Sequence, residues 1–169
     1  MKRPIRCRIA TALLALAAAP VAAVQVCELN GQGVNPANGN TTAGKTGLMR
    51  CRDGEGGPVV REEELRNGRF IGIVRHFRNG VLQSELSVNE QGNRDGVVRE
   101  FAAAESGENR LVREETMKNG TTVGIARAWH ANGKLRRVAF HADNGREEAV
   151  AEFDAEGRLS ELRCAPRAV

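Results

Sequence analysis

The chain has 169 residues, with 25 Lys and Arg against 21 Asp and Glu, so its formal charge is +4. Aromatics make up only 4 % and tyrosine is absent. One domain fits this length, and the excess of base is confined to the first residues, which removes the footprint a nucleic-acid binder would need.

Residues 1–23 read as a secretory signal peptide. Lys2, Arg3, Arg6 and Arg8 form a positive n-region, Ile9 to Ala19 an apolar stretch too short to span a membrane, and Val21-Ala22-Ala23 a small-residue cleavage site. Those four cations and no acid leave with it, so 21 basic residues then face 21 acidic ones. The expected location is outside the cytoplasm: periplasmic in a Gram-negative cell, secreted otherwise. Bulky Val26 before Cys27 argues against a lipid-modified cysteine.

Three cysteines follow the signal: Cys27, Cys51 and Cys164. Export permits a disulfide. Stacked repeats put the chain ends far apart, which favours a local Cys27–Cys51 bridge with Cys164 free or intermolecular. No close Cys-x-x-Cys pair offers redox chemistry.

Residues 24–43 are rich in Gly, Asn and Thr and are expected to form an irregular arm. Gly39-Asn-Thr-Thr-Ala-Gly44-Lys45-Thr46 matches the phosphate-loop pattern letter for letter. That mechanism needs a buried strand before the loop and a helix after it. Turn-rich Asn35–Asn38 precedes it and Gly47-Leu-Met-Arg-Cys-Arg52 follows, so the match reads as coincidence.

Residues 44–164 read as a hairpin-repeat domain, followed by a tail at 165–169. Glycines at 57, 68, 80, 92, 107, 120, 133, 145 and 157 recur at steps of 11 to 15 residues. Two steps make a hairpin repeat. Val60-Arg-Glu-Glu-Glu-Leu-Arg-Asn-Gly68 returns as Val112-Arg-Glu-Glu-Thr-Met-Lys-Asn-Gly120. Outgoing strands align as Gly72–Phe77, Gly96–Phe101 and Gly124–Trp129, with Gly47–Arg52 and Ala149–Phe153 as degenerate end copies. Alternation of Val123, Ile125, Arg127 and Trp129 with Gly124, Ala126 and Ala128 gives one larger and one small face. Asn-Gly pairs, Asn132-Gly133 among them, signal type I′ turns. A two-residue turn at Asn79-Gly80 sets Phe77 against Leu82, Arg75 against Ser84, Ile73 against Leu86 and Ile71 against Val88. An insertion around Ala102 to Asn109 enlarges one loop. The fold expected is all-β, an elongated, twisted, single-layer antiparallel meander.

No catalytic, cofactor or metal set emerges. His76 and His130 are expected at the surface beside strand-end aromatics, and with His141 they form no ligand set. The serines lack a nucleophile-elbow context, and the glutamates sit on solvated strand faces. Phe77, Phe101, Trp129 and Phe153 recur with the repeat, which favours packing over a ligand platform. Arg50, Arg75, Arg99 and Arg127 recur likewise. They read as a ladder answered by Glu62, Glu85 and Glu114, with a basic stripe for an acidic partner as the other reading. Arg75, Arg99, Arg127 and Trp129 are the candidate partner-binding residues.

The pattern G-x-x-x-G-x-x-x-x-aromatic followed by Asn-Gly-x-Leu resembles the MORN-repeat variant of the YwqK-type antitoxin family. Gly68, Gly72, Phe77, Asn79, Gly80, Leu82 and Glu85 carry it, and again Gly120, Gly124, Trp129, Asn132, Gly133 and Leu135. Partial copies stand at Gly92, Gly96 and Phe101, and at Gly145, Phe153, Gly157 and Leu159. The chain departs from the family in lacking tyrosine and in carrying Val138 where a return-strand Glu is usual. The resemblance implies a non-enzymatic binder of a protein partner, the antitoxin or immunity half of a toxin pair. A structural or self-associating envelope protein, with lipid or envelope contacts, is the alternative.

Overall fold

A computed structural model describes residues 25–103 and 109–165. The expected signal segment, the centre of the Ala102–Asn109 insertion with Gly107, and most of the tail lie outside them. The described chain is all-β. Twelve strands form one antiparallel sheet: β1 (Gln25–Leu29), β2 (Gln32–Val34), β3 (Gly47–Asp53), β4 (Val59–Arg66), β5 (Arg69–Arg78), β6 (Val81–Val88), β7 (Gly96–Ala103), β8 (Asn109–Lys118), β9 (Thr121–Trp129), β10 (Leu135–His141), β11 (Glu147–Phe153) and β12 (Leu159–Cys164). From β3 to β12 each strand pairs with its successor. A four-residue helix, α1 (Gly39–Thr42), is the single helix among the described residues.

The segment expected as an irregular arm is ordered. β1 pairs with β2 on one side and β3 on the other, so β2 forms one edge of the sheet. Low alternation hid these strands because they are short and end in Asn30-Gly31, a tight turn with positive φ at both residues. Cys27 faces Cys51 across the β1–β3 ladder, and the two form a disulfide with Cα atoms 4.0 Å apart. Around it lies the one dense core: Leu29, Val34, Met49 and Leu65, with Val60 and Phe70 against them.

The phosphate-loop look-alike serves this end of the fold. Its helix buries Thr42. The Lys45 carbonyl accepts the Gly68 N–H at 2.7 Å and the Thr46 hydroxyl accepts the Asn67 N–H at 3.0 Å. β3 begins directly after it, where a nucleotide site would need a helix.

Turn chemistry divides into two kinds. Asn67-Gly68, Asn79-Gly80 and Asn119-Gly120 hold positive φ at both residues and close two-residue hairpins. Asn132-Gly133 does not, since only Gly133 is positive. There the chain runs a longer loop: the His130 N–H donates to the Lys134 carbonyl, and the Asn132 side chain accepts the Lys134 N–H. The same loop recurs at Ala142–Arg146 and Asp154–Arg158. Between β3 and β4 the positive-φ glycines are Gly54 and Gly56 rather than Gly57.

The expected β5–β6 register is correct at one pair and shifted beyond it. Phe77 faces Leu82, but a bulge between His76 and Phe77 then sets His76 against Ser84, Arg75 against Glu85 and Val74 against Leu86. Equivalent irregularities fall at Glu100/Phe101 and Glu152/Phe153. An extra residue at each strand end cannot be read from alternation alone.

Replacing Cys27 and Cys51 by alanine releases a bridge spanning 24 residues. Loop entropy then predicts a loss of about 3 kcal/mol. Denaturant unfolding of the oxidised and double-alanine chains should show that drop.

Candidate functional site

The bulges create a single row of charge across the sheet. Opposed residues run Glu28, Arg50, Glu62, Arg75, Glu85, Arg99, Glu114 and Arg127 from β1 to β9. Each internal side chain stands roughly 4.8 Å from a neighbour of opposite sign. Contacts alternate in kind. Arginine Nε atoms reach forward to glutamates at 2.8 Å (Arg50–Glu62), 2.8 Å (Arg75–Glu85) and 3.0 Å (Arg99–Glu114). Nη1 atoms reach back at 3.4 Å (Arg75–Glu62), 3.4 Å (Arg99–Glu85) and 3.8 Å (Arg127–Glu114). Each of the three glutamates therefore bridges two arginines. Hydrogen bonds donated to the Glu85 and Glu114 carboxylates hold the Arg75 and Arg99 guanidinium groups above their ordinary pKa, against a smaller opposing effect of burial.

The row changes character after Arg127. Its next members are Val138, Ala151 and Leu162. Arg127 thus has a carboxylate on one side and Val138 on the other. On the same face, two residues along each strand, lie Ile73, Val97, Ile125 and Phe140. All four are exposed, by 40 to 46 %. No second layer covers this ladder face among the described residues.

The four candidate partner-binding residues are placed differently from one another. Arg75 and Arg99 are held from both sides within the ladder. Arg127 ends it and is the most solvent-open of the three, at 43 %. Trp129 is half-buried and faces Leu135, as Phe77 faces Leu82, Phe101 faces Leu111 and Phe153 faces Leu159. An aromatic–leucine pair at the ends of β5, β7, β9 and β11 is cross-strand packing.

The other face holds two features that sequence reasoning missed. Small residues Ala126, Ala128 and Ala139 floor a cleft of about 340 Å³ rimmed by Arg113, Arg137, His141 and Glu147. Glu115, expected on a solvated face, is buried there, accepting hydrogen bonds from Arg113 and from the Thr122 hydroxyl, each at 3.0 Å. The small face of β9 was the available signal. His130, expected at the surface, is half-buried and donates from Nε2 to the Phe153 carbonyl at 2.8 Å, tying one loop to β11.

Glu64 fills a different structural task. It sits at the β4–β5 irregularity, and its Oε2 accepts the Ile73 N–H at 3.1 Å. Gly72 makes room: a Cβ there would stand 2.0 Å from that oxygen, at a φ of +109° that L side chains avoid. The Ile73 N–H, then Arg66, hold the Glu64 carboxyl below its ordinary pKa. Asp154 is held low as well, first by the Arg158 side chain and then by main-chain N–H groups of its loop.

Neither a scan against protein-family models nor a search of curated proteins finds a match to this chain.

Two predictions follow from the charges. Glu85→Ala leaves Arg75 and Arg99 as like-charged neighbours and should cost about 1 kcal/mol, whereas Arg127→Ala at the ladder's end should fall within about 0.5 kcal/mol. Urea titrations of both variants compare them. A depressed carboxyl pKa stabilises the fold above the unfolded value and loses that contribution as pH falls through the folded one. The stability gap between the parent chain and Glu64→Gln should therefore be full at neutral pH and narrow as the pH falls below the ordinary carboxyl value and through the lowered folded one. Thermal melts across that range measure it.

Proposed function

We propose that this chain is an exported, non-enzymatic scaffold that binds a protein partner on its ladder face. The reading extends to an antitoxin or immunity role, in which the partner is a toxin acting where the chain is delivered. One observation carries it. The ladder face sets an uncovered apolar stripe, Ile73, Val97, Ile125 and Phe140, beside a row of mutually satisfied charges.

That combination suits protein recognition. Interfaces take their affinity from apolar and aromatic anchors at the centre, while surrounding polar groups fix register and exclude wrong partners. Ladder charges already paired within the sheet need no rearrangement to serve as such a rim. Phe140 is the natural anchor, and Arg127, with one carboxylate neighbour, has guanidinium donors to offer. Export is supported by the n-region and apolar stretch of residues 1–23 and is compatible with the Cys27–Cys51 disulfide. The antitoxin reading draws on the MORN-like repeat pattern of Gly72, Phe77, Asn79 and Gly80. The alternative, a self-associating envelope protein, draws on the open strand at the far edge of the sheet.

The test is capture from the envelope of the native host, using the full chain with a tag, beside Ile125→Asp and Phe140→Asp. The expected result is one stoichiometric partner, lost in both variants, whose toxicity in the envelope is relieved by co-expression of the parent chain. Recovery of the same partner by both variants, or of no protein but the chain itself, contradicts the proposal.

A further inference from the structure

The two edges of the sheet are built differently. β2, at one edge, is three residues long and sits beside the core. β12, at the other, runs six residues, Leu159 to Cys164, and every one of them is exposed. Leu159 and Leu162 are exposed by 56 and 65 %. Proteins blunt free edges with short strands, proline or inward charge, and a repeat that ends an array carries a polar outer surface. β12 has no proline. The row that crosses the sheet as charge arrives at it as Val138, Ala151 and Leu162.

Main-chain geometry fixes which residues present free groups. The Ala165 N–H donates to the Glu148 carbonyl. In an antiparallel ladder successive residues direct both main-chain groups to alternate sides. Ala165, Arg163 and Glu161 therefore turn toward β11, and Cys164 and Leu162 turn outward; the bulge opposite Glu152 and Phe153 interrupts the alternation at Ser160.

A second copy of β12 can pair with these groups about a two-fold axis in few registers, and side-chain charge separates them. Centring the axis on Glu161 sets Glu161 against Glu161. Centring it on Arg163 sets Arg163 against Arg163. Centring it on Leu162 sets Leu162 against Leu162 and Glu161 against Arg163 twice. Only the last also joins outward-facing residues to each other with every charge opposed by its complement. We propose that the chain forms a two-fold symmetric dimer by antiparallel β12–β12 pairing in this register. The axis is perpendicular to the sheet, so each ladder face continues into the other. The row Val138, Ala151, Leu162 then meets its own image and forms an apolar centre between two charge ladders. The pairing adds main-chain hydrogen bonds that start from the Leu162 pair on the axis. An edge of this size supports association in roughly the micromolar range.

Cys164 lies two residues from the axis in this register. The two Cys164 residues stand about 14 Å apart along the strands, beyond the ~7 Å reach of a disulfide.

The test measures mass by sedimentation equilibrium, on protein expressed from the full sequence and purified as the host processes it. The parent chain should be dimeric at high micromolar concentration. Glu161→Arg should weaken the dimer about tenfold or more, by setting arginine against arginine twice, and Arg163→Glu should do the same with glutamate. The double variant Glu161→Arg, Arg163→Glu should restore it. Under mild oxidation Leu162→Cys in a Cys164→Ser background should cross-link to a covalent dimer, because the two residues meet on the axis, while the parent chain does not. A parent chain monomeric at those concentrations overturns the proposal. So does a charge swap that fails to rescue, or cross-linking of the parent chain through Cys164 as readily as the Leu162→Cys variant. None of these positions lies in the apolar stripe assigned to the protein partner, so the two readings fail separately.

Discussion

One extra residue near the start of each return strand decides what this sheet presents. Without the bulge at His76/Phe77, Arg75 would oppose Ser84 and Glu85 would oppose Val74. With it, arginine meets glutamate on consecutive strands from Arg50 to Arg127. A slip of one residue would send the row to the other face, because side chains alternate across a strand. The bulges are thus the condition for the charge ladder and for the apolar stripe next to it.

The ladder matters because a single-layer sheet has little else. Burial beyond the first four strands is thin: among the described residues, Val74, Val98, Ala128, Ala139 and Val150 are the buried apolar ones, with Glu115 among them. At the amino-terminal end the disulfide and the small core of Leu29, Met49 and Leu65 act as an anchor. Elsewhere, cross-strand pairs and loop-to-loop hydrogen bonds hold neighbours in place, as when the Gly120 N–H donates to the Arg94 carbonyl and the Asn132 side chain to Ala155. Each exposed ion pair contributes little by itself. A continuous row shares each glutamate between two arginines, so fixing one side chain helps to fix the next.

What the sequence disclosed follows from what repeats. Gly72, Gly96 and Gly124, aligned by spacing, all take positive φ, and the arginine ladder with its glutamate partners was legible from the repeat position alone. Four things were not, and the first is the bulge that moves Arg75 from Ser84 to Glu85. β1 and β2 carry too few residues for alternation to register, though Asn30-Gly31 marked their turn. Asn132-Gly133 carries the letters of a two-residue turn, yet the Asn132 side chain caps the Lys134 N–H and a longer loop wins. Burial of Glu115 depends on Arg113 and Thr122 converging from two strands across an alanine floor, a relation that no single strand displays.

The register is the claim from which the ladder face, the stripe and the paired edge all descend. Disulfide trapping reads it directly. In a Cys164→Ser background, Arg75→Cys combined with Glu85→Cys should oxidise to an intramolecular bridge, since these residues are partners across β5 and β6. Arg75→Cys combined with Ser84→Cys should stay reduced, because the two side chains lie on opposite faces. The reverse outcome, a bridge from 75 to 84 and none from 75 to 85, would mean that the bulge is absent and would contradict the account.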